Sequence, residues 1–350
     1  MGRALLIIVS GLMLSASIAQ ISLQDRQQTL FDRTNTFIRD AETRNMANSG
    51  LEIALKKLDT DNTWRDGISN LSLGGGLLNV LVEDATTNSS LEANQIKVTS
   101  TGTIQDTSSE VTGILAYQGG LPETPSPLGI YSNNLNLNMS GNSVLINGND
   151  KNTNGTSGPK KALPGLTVGG PDAYNNVHNN LTSDQLNNIT GAGSTPSVEQ
   201  ADIEGADLQP FIDKYTADPD IVVSSDLNSA EIGTPDNPQI TVINGDIHIS
   251  GVTGAGILVV ESGNSISITG NFDFKGLIIL QGNTNFEADI YGNTHINGAL
   301  LCSSSDPSAN FDIDLRGNVT MNYGSQSLVA LEKKLSDKVD SQLQQVTRYE

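Results

Sequence analysis

Glycines recur at nearly regular intervals in the C-terminal third of this chain, and this feature most limits how it can fold. From Ile240 onward, five to seven residues separate successive glycines, at Gly245, Gly251, Gly256, Gly263, Gly270, Gly276 and Gly282. Short apolar segments rich in β-branched residues, such as 257–260 and 277–280, lie between them. Glycine adopts the left-handed conformations that tight corners need, and short strands joined by such corners can stack. The pattern predicts a mainly β fold built on a right-handed parallel β-helix, a solenoid.

Asparagine follows glycine at several of these corners, and an earlier part of the chain shows the same pattern. Gly-Asn pairs occur at 263/264, 270/271, 282/283, 292/293 and 317/318. Stacked asparagines can satisfy backbone groups at such turns. The segments 135–139 and 144–146, with corners at 141/142 and 148/149, start the predicted solenoid. We expect it to occupy 128–325, with a loop-rich insertion at about 150–237 in which Leu208 to Tyr215 has helical character.

Apolar residues dominate the N-terminus from Ala4 to Leu23, and a helix of about 20 such residues can span a bilayer core. One interpretation is a secretory signal, with Arg3 as its basic region and a small-residue cleavage site ending at Ala19. The other is a retained membrane helix. The second is favoured because 21–58 contains no proline and continues with apolar residues at helical spacing. We predict one membrane and assembly helix over 1–60.

The pattern changes to that of strands after Trp64. Three segments rich in β-branched residues, 77–83, 95–104 and 109–117, predict a small antiparallel sheet within 61–120. Three prolines then make 121–127 a stiff linker, because proline cannot continue a sheet. Near the end, apolar residues at helical spacing predict an amphipathic helix over 326–350 that caps the solenoid, at Leu328, Leu331, Leu335, Val339, Leu343 and Val346.

Charge and cysteine content exclude several classes of function. The net charge is −20, and residues after Asp66 carry all of it, because the first 66 residues contain eight basic and eight acidic side chains. Binding to nucleic acid needs clustered Lys and Arg, so we expect no nucleic-acid partner. The single Cys302 excludes an internal disulfide framework and a multi-cysteine metal site. It follows an apolar segment and is predicted to be buried.

Metal-ligating patterns are weak in this sequence. The three histidines lack the spacing of metal ligands, at His178, His248 and His295. Asp150, Asn152 and Asn154 match the opening of a calcium loop, but Lys161 stands where an EF-hand has a bidentate glutamate. These three residues form only a weak calcium candidate, and we expect no metal and no cofactor.

An enzymatic alternative rests on carboxylates in the predicted solenoid. Glycosidases use paired carboxylates, and four aspartates could supply them, Asp273, Asp289, Asp312 and Asp314. β-Helices include polysaccharide lyases and hydrolases, but a shared fold does not establish an activity. We therefore expect no catalytic residue and a protein that is not an enzyme.

Both ends of the chain resemble PilX-type minor pilins, which are type IV pilus assembly proteins. At the N-terminus the resemblance lies in Arg3 and the apolar helix it opens, and in the segment 41–55, AETRNMANSGLEIAL. At the C-terminus it lies in 255–260, 270–280, 292–301 and 317–325. In that family prepilin peptidase cuts after a glycine ahead of the apolar helix. The resemblance thus implies Gly2 as the processing site and Arg3 as the first mature residue, with Ile7 where major pilins have glutamate.

The resemblance implies a non-enzymatic minor pilin or pilus-assembly component, anchored in the inner membrane by one helix, with an exported domain that reaches the pilus or cell surface. The helix from Ala4 to Leu23 would hold it in the membrane and then pack among other pilin subunits. The solenoid would offer a surface for adhesion to glycans or host surfaces, or for capping the fibre tip. The alternative is a secreted β-helix adhesin or carbohydrate-active enzyme with a cleaved signal peptide.

Overall fold

A computed structural model of the chain describes residues 2–61, 63–91, 94–140, 143–201, 208–288, 292–306, 308–339 and 342–349, with side chains for all of these except 2–7, 10, 337 and 342. The chain is mainly β, with a long N-terminal helix and parallel sheets. It forms two compact units. The first unit comprises Met1–Asn88, Ile96–Leu115 and Gln345–Glu350, and the second comprises Ser89–Gln95 and Ala116–Gln344.

Helices and strands alternate irregularly along the chain. The helices are α1 (Gly2–Thr60), α2 (Pro171–Asn180), α3 (Ser183–Asn187), α4 (Gln209–Ala217), α5 (Ser325–Lys334) and α6 (Ser336–Val339). The strands are β1 (Ile68–Leu73), β2 (Gly76–Asp84), β3 (Gln95–Ile104), β4 (Thr107–Gln118), β5 (Leu128–Tyr131), β6 (Leu135–Ser140), β7 (Val144–Asn147), β8 (Leu166–Val168), β9 (Ile189–Thr190), β10 (Val198–Gln200), β11 (Ile221–Val223), β12 (Leu227–Asn228), β13 (Glu231–Ile232), β14 (Gln239–Ile243), β15 (Ile247–Ser250), β16 (Val252–Val260), β17 (Ser265–Ile268), β18 (Phe272–Gln281), β19 (Asn285–Ala288), β20 (Asn293–Ser303), β21 (Phe311–Arg316), β22 (Asn318–Tyr323) and β23 (Gln342–Tyr349).

The first unit packs the C-terminal half of α1 on a five-stranded sheet of order β1-β2-β3-β4-β23. The pairs β1–β2 and β2–β3 are antiparallel. Helix residues at helical spacing are buried, Thr43, Met46, Ala47, Gly50, Leu51, Ala54 and Leu58. Gly50 lets the helix approach the sheet closely, since a Cβ there would lie 2.2 Å from the Ser100 hydroxyl. The predicted N-terminal helix is confirmed as a helix over Gly2–Thr60, and the three predicted strands are confirmed by β2, β3 and β4, whereas β1 was not predicted.

The second unit contains two parallel sheets. The larger has twelve strands, with the path β10-β8-β5-β20-β18-β16-β14-β11, and the smaller has the order β12-β15-β17-β19-β21-β6. Most neighbouring strands are about twenty residues apart in sequence, as in the pairs Val252↔Phe272 and Phe272↔Thr294. Alternate side chains of both sheets enter one apolar core, which includes Phe272, Phe286 and Phe311. Five of the periodic glycines lie between strands, whereas Gly256 and Gly276 lie within β16 and β18, where they pair with each other in parallel register.

The segment predicted as a loop-rich insertion, 150–237, contributes to both sheets. The strand β8 pairs with β5, β9 with β7, and β11, β12 and β13 pair with β14, β15 and β16. The interpretation of this segment as an insertion on the solenoid was therefore wrong for these strands. They are two or three residues long, too short to show a period, and parallel pairing with longer neighbours positions them. The helical prediction for Leu208 to Tyr215 is confirmed by α4.

Three helices cover the outer face of the central strands β14, β16, β18 and β20. These strands have apolar residues on both faces. The residues that point away from the main core are buried in a second cluster with α4, α5 and α6. From the strands it includes Ile257, Val259, Leu277, Ile279 and Leu301, and from the helical segments it includes Tyr215, Leu328, Leu331, Leu335 and Val339. The prediction of one helix over 326–350 capping a solenoid end is therefore wrong. The helices end at Val339 and lie against the middle of a sheet, and 342–349 forms β23.

Two columns of identical residues run across the central strands. Gly256, Gly276 and Gly298 lie side by side on β16, β18 and β20, with φ between +136° and +148°. Asn271, Asn293 and Asn318 form the second column, in which each amide donates to the preceding amide oxygen at 2.9 and 2.8 Å. The expectation that asparagines of the Gly-Asn corners stack is confirmed here, while the corner at 141/142 lies outside the described residues.

Candidate functional site

The N-terminal two thirds of α1 carries the largest set of exposed apolar side chains in the described chain. Twelve large residues are exposed by 43% to 74% of their surface, Ile8, Val9, Leu12, Met13, Leu14, Ile18, Ile21, Leu23, Leu30, Phe31, Phe37 and Ile38. From Thr43 onward the same helix buries one face against the sheet. Large exposed apolar surfaces are uncommon on water-facing helices, which makes this segment the candidate interaction surface of the described chain.

Five hydroxyl groups on this part of α1 donate to carbonyls of the same helix. Ser15 donates to the Leu12 carbonyl and Ser17 to the Met13 carbonyl, both at 2.9 Å. Three threonines bond in the same way to carbonyls four residues earlier, at Thr29, Thr34 and Thr36. Burying an unpaired hydroxyl in an apolar environment is costly, and these bonds remove most of that cost. The segment therefore tolerates removal from water better than its serine and threonine content suggests.

The structure describes the side chains of only some of the residues predicted for processing and for the membrane helix. Gly2 and Arg3 lie in the first turn of α1, but nothing is described of the side chains of 2–7 and 10. Among the side chains that are described, no helix is both long enough and apolar enough to cross a membrane.

A row of polar side chains crosses the outer face of the twelve-stranded sheet in the second unit. His295 on β20 is central, with Nδ1 3.4 Å from Asp273 Oδ1 and Nε2 3.4 Å from Asn322 Nδ2. Asn322 in turn accepts from Asn147 Nδ2 at 2.9 Å, and Lys275 Nζ lies 3.4 Å from Asp273 Oδ2. The amide nitrogen of Asn322 can only donate, so Nε2 of the neutral imidazole accepts from it and Nδ1 donates to the Asp273 carboxylate. We call these five residues the polar row.

The hydrogen bond from His295 holds the pKa of Asp273 below its usual range, and Lys275 adds to the effect. The carboxylate of Asp273 is thus ionised at neutral pH, and the row presents one anion, one cation and several neutral donors and acceptors. The side chains of Asp273 and His295 are 43% and 41% exposed, so a ligand in solution can reach them. Such a surface can hydrogen-bond a polar ligand, but it offers no second carboxylate for acid–base hydrolysis.

We expect Asp273→Asn to lower the free energy of unfolding at pH 7 by less than about 1 kcal/mol, because the pair is partly exposed and screened by solvent. A depressed pKa in the folded state means that the stabilisation is present above the unfolded pKa of 3.8 and is lost as pH falls through the lower folded-state pKa. Urea unfolding at pH 7 and pH 3 checks this expectation. A difference between the two proteins that is no smaller at pH 3 than at pH 7 would contradict it.

The other carboxylates of the enzymatic alternative are not gathered with Asp273. Asp312 and Asp314 lie on β21 in the smaller sheet, whereas Asp273 lies on β18 in the larger one. Asp314 forms an ion pair with Arg316 and accepts from Asn138 Nδ2 at 3.2 Å. Asp289 lies outside the described residues. Asp273 is thus separated from the two aspartates of β21, and the paired-carboxylate arrangement stays a prediction.

The weak calcium candidate is occupied by local hydrogen bonds. The buried Asp150 carboxylate accepts from the Ser325 amide (2.9 Å), the Ser325 hydroxyl (2.7 Å) and the Lys160 amide (2.8 Å). Asn152 donates to Thr156 Oγ1, and Asn154 accepts from the amide and hydroxyl of the same threonine. Within the described residues, no group of three or more His, Cys, Asp or Glu side chains could hold a metal ion. Asp150 thus anchors the N-terminus of α5.

The remaining singled-out residues lie apart from one another. His178 stacks on Tyr174 in α2, with ring centroids 4.3 Å apart, and His248 Nε2 lies 2.6 Å from Thr269 Oγ1. Cys302 is fully buried, as predicted, and burial raises the pKa of its thiol. These two histidines and the cysteine therefore contribute to packing with their own neighbours.

The polar row was missed by the sequence reasoning, although one signal is present, because Asp273 and His295 are polar residues 22 positions apart. That spacing acquires meaning only once the parallel register is known, because the register places Asp273 beside His295 and Asn147 beside Asn322. No protein-family model, curated protein or solved structure matches this chain.

Proposed function

We propose that this protein is a membrane-anchored minor pilin or pilus-assembly component that is not an enzyme. The observation that carries the proposal is the single helix Gly2–Thr60, which exposes a dozen large apolar side chains over its first two thirds and packs on a sheet over its last third. A subunit that inserts an apolar helix among other helices needs one part of the helix to be exposed to its neighbours and another part to be fixed on its own sheet. The internal hydrogen bonds of its serines and threonines suit the same environment.

In this proposal residues 4–23 hold the subunit in the inner membrane before assembly. They then pack among the apolar helices of other pilin subunits in the fibre core. The balanced charge of the first 66 residues is compatible with close packing of many copies, and the net charge of −20 stays on the exported remainder. The small antiparallel sheet supports the helix where it emerges.

We further propose that the second unit is a right-handed parallel β-helix, displayed outward for adhesion or for capping the fibre tip. Parallel pairing between strands about twenty residues apart supports this architecture, as do the glycine and asparagine columns at corresponding positions. The exposed polar row favours recognition of a polar surface, such as a glycan, over an apolar one.

Mass spectrometry of the mature protein, purified from membranes, tests the proposal. We expect the N-terminus to be Arg3, because cleavage after Gly2 leaves the whole apolar helix in place. A mature N-terminus at Gln20 would remove six of the twelve exposed large apolar residues, together with nearly all of the proposed membrane segment 4–23, and would overturn the proposal. It would instead support a secreted β-helix adhesin or carbohydrate-active protein, for which the polar row would be the contact surface.

A further inference from the structure

The last strand of the chain completes the sheet of the first unit from its edge. β23 lies beside β4 as the outermost strand of that sheet. No described side chain of β23 is buried, since Leu343 and Thr347 are half-buried and the others are exposed, with Val346 at 51% and Tyr349 at 58%. Backbone hydrogen bonds to β4 and a contact between Arg348 and Asn48 therefore hold this strand, without a contribution from core packing.

The sequence of β23 is also compatible with another conformation. Leu335, Val339, Leu343 and Val346 continue the apolar spacing of the helices before it, and this spacing is the pattern of a helix. Pairing with β4 overrides the pattern in this structure. A segment whose local preference conflicts with its place in the fold, and which buries no side chain, belongs to the least stable parts of a protein.

We propose that the edge of β4 is an acceptor site for an extended peptide strand, and that its occupant in an assembly is β23 of a second copy of this chain. Every copy carries the same β4 edge and the same β23, so an exchanged strand would make the contacts that it makes within its own chain. Exchange of an identical element between copies is a low-cost route to dimers. The result is a non-covalent link between subunits that is independent of α1.

Full-length variants test the acceptor site directly. Proline removes a backbone donor, and successive N–H groups of a strand point to opposite sides, so Gln345→Pro combined with Val346→Pro removes one donor that faces β4. The matched control combines Gln345→Ala with Val346→Ala, which shortens the same side chains and keeps both donors. The probe is a fluorescent synthetic peptide with the sequence of residues 342–349, QLQQVTRY.

We expect the peptide to bind the double-proline chain at least about tenfold more tightly than the double-alanine chain, in fluorescence anisotropy, because only the former leaves its β4 edge open. A peptide that carries the same two prolines should not bind. Failure of the QLQQVTRY peptide to bind a double-proline chain that retains its circular dichroism spectrum would overturn the proposal.

A second measurement starts from the unchanged protein, so its first result does not depend on the folding of a variant. Tagged and untagged wild-type copies are mixed in detergent and followed by native mass spectrometry. We expect mixed dimers to appear for the wild-type and double-alanine chains and to be lost in the double-proline chain, although α1 is the same in all three. Dimers that persist in the double-proline chain, or no dimers of the wild type, would overturn the proposal and leave the function proposed for α1 unaffected.

Discussion

Gly276→Ala is expected to destabilise the second unit by about 4 kcal/mol, the largest effect of any single substitution proposed for this protein. Gly276 has φ +136°, which an alanine adopts only with strain. An added Cβ would also lie 2.1 Å from the Gly256 carbonyl oxygen and 3.1 Å from Leu331 Cδ1. The first contact is with backbone of the neighbouring strand, which cannot move without disturbing the parallel register. Chemical denaturation followed by circular dichroism measures the loss.

Gly245→Ala is the matched control for this prediction. Gly245 has a nearly identical φ of +132°, but nothing lies within 4 Å of an added Cβ. It should therefore show only the cost of backbone strain, about 1–2 kcal/mol. Equal losses for the two variants would mean that the glycine column serves backbone conformation alone and that close approach of the strands does not require it.

Asp150→Ala is expected to lower the free energy of unfolding by about 3 kcal/mol. The side chain is only 5% exposed, and its carboxylate accepts three hydrogen bonds, two from Ser325 and one from the Lys160 amide. Alanine would leave three donors without this acceptor and release the start of α5, which covers the outer face of the central strands. Urea unfolding measures the loss, and faster proteolysis near 325–334 should accompany it.

Asp306→Ala is a suitable comparison, because Asp306 accepts from the amide and hydroxyl of Ser308 in the same manner as Asp150 accepts from Ser325. Asp306 is exposed, so water replaces the lost bonds and the effect should be much smaller. If Asp150→Ala were no more harmful than Asp306→Ala, the anchoring role of Asp150 would be refuted.

The features predictable from the sequence were those with a long or repeated pattern. The helix α1 runs for 59 residues without proline, and the glycine intervals after Ile240 repeat often enough to reveal stacked short strands. Strands such as β9 and β12 have two residues each, and no local pattern can identify them. Their position follows from pairing with neighbours that are distant in sequence.

The prediction of one helix over the final segment was wrong for a different reason. The apolar spacing from Leu328 to Val346 is helical throughout, but only the part up to Val339 has a sheet face to cover. Beyond that point the open edge of β4 competes with the local preference, and the edge prevails. The polar row around His295 was equally hidden, because its members come together only through a register that spans more than twenty residues.

The order of strands in the second unit has a consequence for how the protein is made. The strands β20, β21 and β22 pair with β5, β6 and β7, which precede them by more than 170 residues. The first strands of this unit therefore lack one neighbour until nearly all of the chain has been synthesised. This unit therefore cannot form by adding one strand after another from the N-terminus. The strand β5 pairs with β20 only after the long loop between them has closed, and the entropy of closing that loop is lost before the contacts form. While the chain is being synthesised, β5, β6 and β7 therefore stay unpaired on that side until β20, β21 and β22 have been made.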